Sequence, residues 1–322
     1  MTQERFRKLA AATLVITLGV ILWGAFVRAT GSGAGCGAHW PMCNGEVLPR
    51  APGTATLIEF THRLTSGIAF LLVLLQFVWA RRAFPSRHPA RAGAAASLFF
   101  MITEAAVGAL LVVFEYVADN ASAGRAVWMA VHLINTFLLL GAMTCTFWWA
   151  RGGAPVRFRG QGSTAVMLVA ALVATLLVGV TGAIAALGDT LFTANSLAEG
   201  IAQDFSPTAH FLVQLRTLHP VNAALTAAYL LMLRSVIPAR RPSPAVRRLA
   251  NATGAIVVLQ IGVGIVNLVL LAPVSLQLVH LLLADALWMS LVLLTAAALA
   301  SPETAQTPPA GEPMAAFGRE AG

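Results

Sequence analysis

The sequence predicts an all-α integral membrane protein, with eight transmembrane helices arranged as two tandem, pseudo-twofold-related four-helix bundles. Three observations carry this. Hydrophobic residues make up 58% of the chain and charged residues only 11%, with a mean hydropathy of +0.77; soluble domains carry roughly 25% charge. Apolar runs recur that are long enough for the ~20 residues a helix needs to cross the hydrocarbon core, and they lack the alternation of barrel strands. The motifs of the first half of the chain also return in the second.

The runs fall at 9–28, 58–80, 94–117, 127–150, 164–187, 209–233, 249–271 and 276–299. The first has a basic head and an apolar body, as a signal peptide does. Its apolar part is too long for one, and it has a counterpart later in the chain, so it reads as a helix. The second opens on "EFTHRLTSG" (59–67), which sets Glu59, His62 and Arg63 at the mouth of a membrane span. Ionisable groups in lipid are costly and are usually functional. The third carries "TEAAVGALLVV" (103–113) and the fourth "VHLINTFLLL" (131–140).

The later runs repeat these. "GAFVRATGSG" (24–33) pairs with "TGAIAALGDT" (181–190), Gly31 falling on Gly188, and His62 pairs with His219, 157 residues on. "LQIGVGIVNLV" (259–269) sets Gln260 against Glu104, and "VHLLLADALW" (279–288) sets His280 against His132. An even number of helices per half keeps both halves in one orientation, related by an axis along the membrane normal. The expected organisation is an N-terminal half at 1–155, a C-terminal half at 156–300 and a disordered cytoplasmic tail at 301–322, rich in Pro, Ala, Gly and Glu.

The net charge of +8 could suggest nucleic acid, but its distribution excludes that partner. Of 21 Lys and Arg, 16 lie in the head, the tail (Arg319) and three loops on one side, around Arg81–Arg91, Arg151–Arg159 and Arg234–Arg248. This is the positive-inside pattern of a multi-pass plasma-membrane protein with both termini cytoplasmic.

Of seven histidines, His39, His88 and His210 fall in loops or at an edge. His62, His132, His219 and His280 each sit about one turn inside the outer end of an even-numbered helix, so they share one depth. A lone intramembrane histidine is more often a helix–helix hydrogen-bonding group. Two facing imidazoles in each half, without a thiolate or carboxylate ligand, suit axial ligation of haem iron. Zinc or copper would want a third or fourth ligand in each half. A proton relay would want more carboxylate than the second half offers. Arg28, Arg63 and Arg216 stand at the same edge as candidates to anchor propionates bidentately, or to snorkel. The small residues at 105–109 and Gly262/Gly264 would admit a flat macrocycle, or simply close helix packing.

The halves differ. Glu59 is matched by Arg216, and Arg63 by Pro220. A carboxylate near a haem edge can take protons or stabilise positive charge; a guanidinium anchors. The reading is a reactive first half and a resident redox or structural haem in the second. Against it stands a plain i,i+4 ion pair between Glu59 and Arg63. "GCGAHWPMCNG" (35–45) puts Cys36 and Cys43 in the outer loop of the first half alone. On an oxidising face such a pair reads as a disulfide, structural or redox-active; a metal site with His39 is the alternative. Cys145 reads as inert core. The acidic outer loop at 188–208 is a lid or a partner surface.

Together the tandem halves, "EFTHR", the "VHL" helices, "RATGSGAGC" (28–36) and the cysteine loop resemble bacterial haem A synthase over about residues 9–299. The four histidines with the ExxHR motif are the specific part. The resemblance, to the cysteine-pair-containing subset, implies oxidation of a ring methyl of haem O to the formyl of haem A for aa3-type cytochrome c oxidase. It implies that His62 and His132 hold the substrate haem, that His219 and His280 hold a permanent haem b through its iron, and that Glu59 is catalytic. It also implies a Cys36–Cys43 disulfide, with haem O synthase and the cytochrome oxidase assembly machinery as partners. The electron partner and a homo-oligomer stay open. One rival is a bis-His dihaem membrane cytochrome taking electrons from quinol; it needs the histidines but neither Glu59 nor a one-sided cysteine pair. The other, a transporter, predicts broken helices with polar midplanes, whereas these midplanes read as almost pure Leu, Val and Ala.

Overall fold

The computed structural model describes residues 2–300, so the expected tail at 301–322, with Arg319, lies outside the described residues. Eight spans cross, by length and composition. They are α1 (Gln3–Ala29), α2 (Thr54–Ala83), α3 (Pro89–Val113), α4 (Ala123–Ala150), α5 (Ser163–Leu191), the pair α7 (Phe211–Leu215) and α8 (Leu218–Arg240), α9 (Pro244–Val269) and α10 (Val274–Ala298); a short helix, α6 (Leu197–Asp204), lies between α5 and α7. Among the described residues, β-structure is confined to isolated bridges, Cys43 with Glu46 and Val156 with Ala300.

The helices overrun the apolar runs. Backbone groups in lipid must bond within the helix, and α3 and α4 begin where a side chain caps them. Ser122 Oγ accepts the N–H of Arg125 at 3.2 Å to start α4. His88 Nδ1 accepts the N–H of Ala90 at 3.2 Å, with Pro89 at the first helical position of α3. The earlier starts place His62, His132 and His280 about two turns inside their helices, not one, while His219 is the second residue of α8, beyond the short α7.

The repeat is written in the backbone. Glu115 after α3 and Leu271 after α9 are both left-handed, at φ 54° and 59°. Beyond them, the N–H of Tyr116 bonds to the carbonyl of Leu111 at 2.8 Å, and that of Ala272 to Asn267 at 2.7 Å. Both are the closure that satisfies the last carbonyls of a helix. The second helices differ: α2 is unbroken, while its counterpart parts at Arg216–Thr217. Pro220, in the place of Arg63, has no N–H to give the Arg216 carbonyl, and His219 N–H bonds there instead at 3.1 Å.

α1 to α4 pack as one bundle, and α5, α8, α9 and α10 as the other. Between them α10 packs on α1 and α5 packs on α4, the pairing a twofold requires, with α4 and α10 in contact at the centre. Trp288 of α10 joins the two. It stacks on Phe137 of α4 with ring centres 5.2 Å apart, donates to the Phe137 carbonyl, and is buried with Leu14, Val73, Met101 and Leu140 of the first half. The interior is less aliphatic than the sequence suggested: Thr17, Gln76, Thr144, Asp285 and Thr295 are all buried.

Candidate functional site

A cavity of about 1820 Å³ opens between the bundles and is lined from both halves. All four histidines of the even-numbered spans reach it, with Glu59, Arg28, Arg63 and Arg216 at one rim. Each ring lies across from a glycine of the preceding span. A Cβ on Gly24 would come within 2.9 Å of His62, one on Gly182 within 3.0 Å of His219, one on Gly264 within 3.0 Å of His280, and one on Gly108 within 4.0 Å of His132. The His62, His219 and His280 rings occupy the space a side chain would fill, whereas His132 stands at ordinary contact distance from Gly108. This pattern corrects the repeat register of the first spans: Gly24 matches Gly182, one residue off the pairing of Gly31 with Gly188. Gly31 serves the turn, with φ +66° at the end of α1. Gly262, paired with Gly264 in the sequence reading, faces open space.

The His219 and His280 rings stand edge to face, centres 6.2 Å apart. Thr181 Oγ1 lies 3.4 Å from His219 Nδ1, and Gln260 Nε2 lies 3.3 Å from His280 Nε2. Nδ1 of His62, His132 and His280 is in each case buried without a hydrogen-bond partner.

The two rims are built oppositely. In the first half Glu59 is 3% exposed. Its Oε2 accepts the N–H of Cys36 at 2.8 Å, and its Oε1 accepts from Nε and Nη2 of Arg63. Arg63 Nη1 donates to the carbonyls of His39 at 2.7 Å and Met42 at 2.8 Å. Cys36 and Cys43 are bonded to each other. The ion pair and the chamber-lining carboxylate are thus the same residue, tied to the disulfide loop. Among the described residues no three of His, Cys, Asp and Glu gather as a metal site, so His39 forms none with the cysteines.

In the second half Arg216 donates to Asp204 at 2.9 Å, to Asp189 at 3.1 Å and to the Phe192 carbonyl at 3.3 Å. These bonds draw the acidic outer loop inward. Its helix α6, capped by Ser196 Oγ on the N–H of Glu199 at 3.2 Å, covers the chamber with Leu197, Gly200 and Ile201. Arg28 spans the halves, donating to the Ala186 carbonyl at 2.8 Å, to Thr190 at 2.7 Å and to Gln277 at 2.8 Å.

All three arginines singled out as anchors therefore have protein acceptors. A fourth was missed. Arg125 is 2% exposed and lines the chamber; its Nη1 donates to the carbonyls of Ala118 and Asn120, and its Nε is without a partner. The second half is also richer in acid than the sequence suggested, since Asp189, Asp204 and Asp285 all line the chamber. Asp285 is 0% exposed and neither of its oxygens has a partner. Its sequence signal was plain: a single acid inside an apolar run.

Fold and site define a class: a polytopic helical membrane protein of two like halves, with paired imidazoles around one internal chamber. Residues 7–292 match the family model of COX15-CtaA, cytochrome oxidase assembly protein, and the chain belongs to that family, the haem A synthase family its motifs resemble. A Thermus thermophilus protein named protoheme IX farnesyltransferase is 53% identical over 288 residues, 87% of this chain and 47% of its own. A heme A synthase of Bacillus mycoides is 42% identical over 143 residues, 44% of each chain. One from Alkalihalophilus pseudofirmus is 38% identical over 111 residues, 34% of this chain and 37% of its own. The chain spans about half the length, or less, of these relatives.

Proposed function

We propose that the chain oxidises a ring methyl of haem O to the formyl of haem A, serving assembly of aa3-type cytochrome c oxidase. The observation that carries this reading is the set of four rings, each against its glycine, around one chamber that has a rim carboxylate of the Glu59 kind in the first half only. In the proposal His62 and His132 hold the substrate haem, and His219 and His280 hold a resident haem b.

The residues fit such groups. Imidazole nitrogens bind first-row metals at about 2 Å, so two rings bracketing one ion stand with their centres about 6 Å apart, and those of His219 and His280 are 6.2 Å apart. Buried ring nitrogens without partners need a bond from somewhere. The chamber exceeds the roughly 300–1,000 Å³ of a pocket for one drug-sized ligand, as two macrocycles require. Haem b, when bound, would supply one-electron transfer.

The chain's own residues do the rest. Glu59 takes protons as the methyl is oxidised, or stabilises positive charge on the ring. The Cys36 N–H and Arg63 fix its position, and the disulfide fixes Cys36. Arg28, Arg63, Arg216 and Arg125 line the chamber as propionate partners. α6 excludes water from the outer side. In this reading the excess of Lys and Arg in the loops of one side supports cytoplasmic termini and a chamber mouth on the opposite face. The Thermus relatives are named for farnesyl transfer to protohaem, the class of reaction that makes a prenylated haem, so we place the two reactions in sequence in the plasma membrane.

The test is pigment extraction from membranes that express the chain and are supplied with haem O. Haem A is the expected product. A chain that binds haem yet leaves haem O unchanged would be a membrane cytochrome instead.

A further inference from the structure

We propose that Glu104 is the positioning residue that separates the two haem sites electronically. Its carboxylate faces the ring Nδ1 of His132, while the second half offers His280 only the neutral amide of Gln260. The proposal rests on the haem ligation proposed above.

Glu104 and Gln260 hold equivalent places on α3 and α9, each beside the histidine of the next span. Glu104 Oε1 lies 3.6 Å from His132 Nδ1, a buried ring nitrogen with no hydrogen bond. The carboxylate is locked in that attitude. Asn135 Nδ2 donates to its Oε2 at 2.6 Å, and the Thr136 hydroxyl donates to its Oε1. Asn135 is itself oriented, donating to the Phe100 carbonyl at 2.9 Å and accepting from Thr103 at 2.7 Å. In the second half Gln260 Nε2 lies 3.3 Å from His280 Nε2, on the other ring nitrogen, and both Gln260 Oε1 and His280 Nδ1 are buried without a partner.

A carboxylate behind a metal-bound imidazole fixes the tautomer and makes the ring a stronger donor. Stronger donation and a nearby negative charge favour the more positive, oxidised iron and lower its reduction potential. An uncharged amide does not. With haem bound as proposed, the iron held by His132 would be the more easily oxidised of the two, and transfer of an electron to the second half would be downhill.

The test uses the full chain purified from cells supplying haem O, and reads the reduction potential and low-spin spectrum of each bound haem. Glu104→Gln should raise the potential of the first-half haem by about 59 mV, a tenfold change in its one-electron equilibrium, and leave the other in place. Gln260→Glu should lower the second-half potential by a similar amount. If Glu104→Gln unfolds the protein, Gln260→Glu decides alone. Potentials that stay put in both variants, while His132→Ala and His280→Ala still remove the matching haem signals, overturn this inference only. Haem signals that survive those histidine variants overturn the ligation reading beneath it.

Discussion

Glu59 in α2 and Arg216 between α7 and α8 occupy equivalent places in the repeat, and the structure surrounds them with opposite chemistry. Glu59 is an acid clamped by donors: a guanidinium and the N–H of a disulfide-bonded cysteine. Arg216 is a base clamped by acids, Asp204 from α6 and Asp189 from α5. The glycine-backed histidines one turn further in are alike in both halves. The lesson is that duplication kept the ligand platform and let the rim diverge. One rim is tied to a loop cross-linked by a disulfide, and the other to a helix that roofs the chamber.

The largest expected effect breaks the comparison at the platform. The double variant His219→Ala/His280→Ala should lose its tightly held low-spin haem completely, while His62→Ala/His132→Ala should keep it and lose only the substrate haem. Optical spectra and haem content of the purified proteins report this. Retention of the stable haem in the first variant would move the resident site to the other half.

The rim comes next. Glu59→Gln keeps the size and most hydrogen bonding but removes the charge. Formyl formation should fall by roughly 10²–10³, with haem b content near normal and haem O accumulating. Arg216→Gln frees α6 and should mainly weaken retention of haem b. Equal loss of formyl formation in both variants would erase the functional difference between the rims. A wild-type rate with Glu59→Gln would leave Glu59 as the partner of Arg63 alone.

The glycines sharpen the comparison, because each half carries its own control. Gly24→Ala places a methyl within 2.9 Å of His62, whereas Gly19→Ala on the same helix meets nothing within 4 Å. Gly264→Ala and Gly262→Ala form the matching pair against His280. Overpacking by one carbon costs about 1–3 kcal/mol. Gly24→Ala should then weaken the first-half haem, and Gly264→Ala the second-half haem, each by about tenfold or more in a haem titration. The two control variants should bind as the wild type does. Effects of equal size at Gly19 and Gly262 would show that glycine in these helices serves backbone packing, not the rings.

Much of this was legible in the sequence. Eight spans and a tandem repeat follow from apolar length and recurring motifs, and four histidines stand out because lipid makes polar groups rare. The glycines behind the rings were hidden, since small residues are common in membrane helices and only contact shows which of them a ring needs. The pairing of Arg63 with Glu59, four residues away, was visible, but the partners of Arg28 and Arg216 and the carbonyls Arg63 meets at His39 and Met42 were hidden, because they lie far off in sequence on other elements. α6 lies in a polar loop and leaves no apolar run. Asp285 and Glu104 were visible as residues, but their settings were not, because burial and ring contact depend on helix rotation.

The smallest expected effect concerns the ends of the spans away from the Glu59 and Arg216 rims, where the halves start their third spans differently. α3 is capped by the ring of His88, which accepts the N–H of Ala90 at 3.2 Å and stacks on Phe84 with centres 4.4 Å apart. α9 starts at Ser243 without a side-chain cap. Accepting that bond requires an unprotonated Nδ1, and burial pushes the His88 pKa down from the ordinary histidine value. The folded protein thus binds its proton less readily than the unfolded chain. The stabilisation is full above the unfolded value of about 6.5 and is lost as pH falls through that value toward the lower folded one. Losing a cap costs about 1 kcal/mol, so hydrogen exchange at Ala90, corrected for its intrinsic pH dependence, should quicken by about fivefold on acidification. The start of α9 should show no such change. His88→Asn supplies a cap that does not titrate, so its exchange should stay level with pH. A slope that persisted in that variant would place the proton elsewhere on that face and remove the difference between the two helix starts.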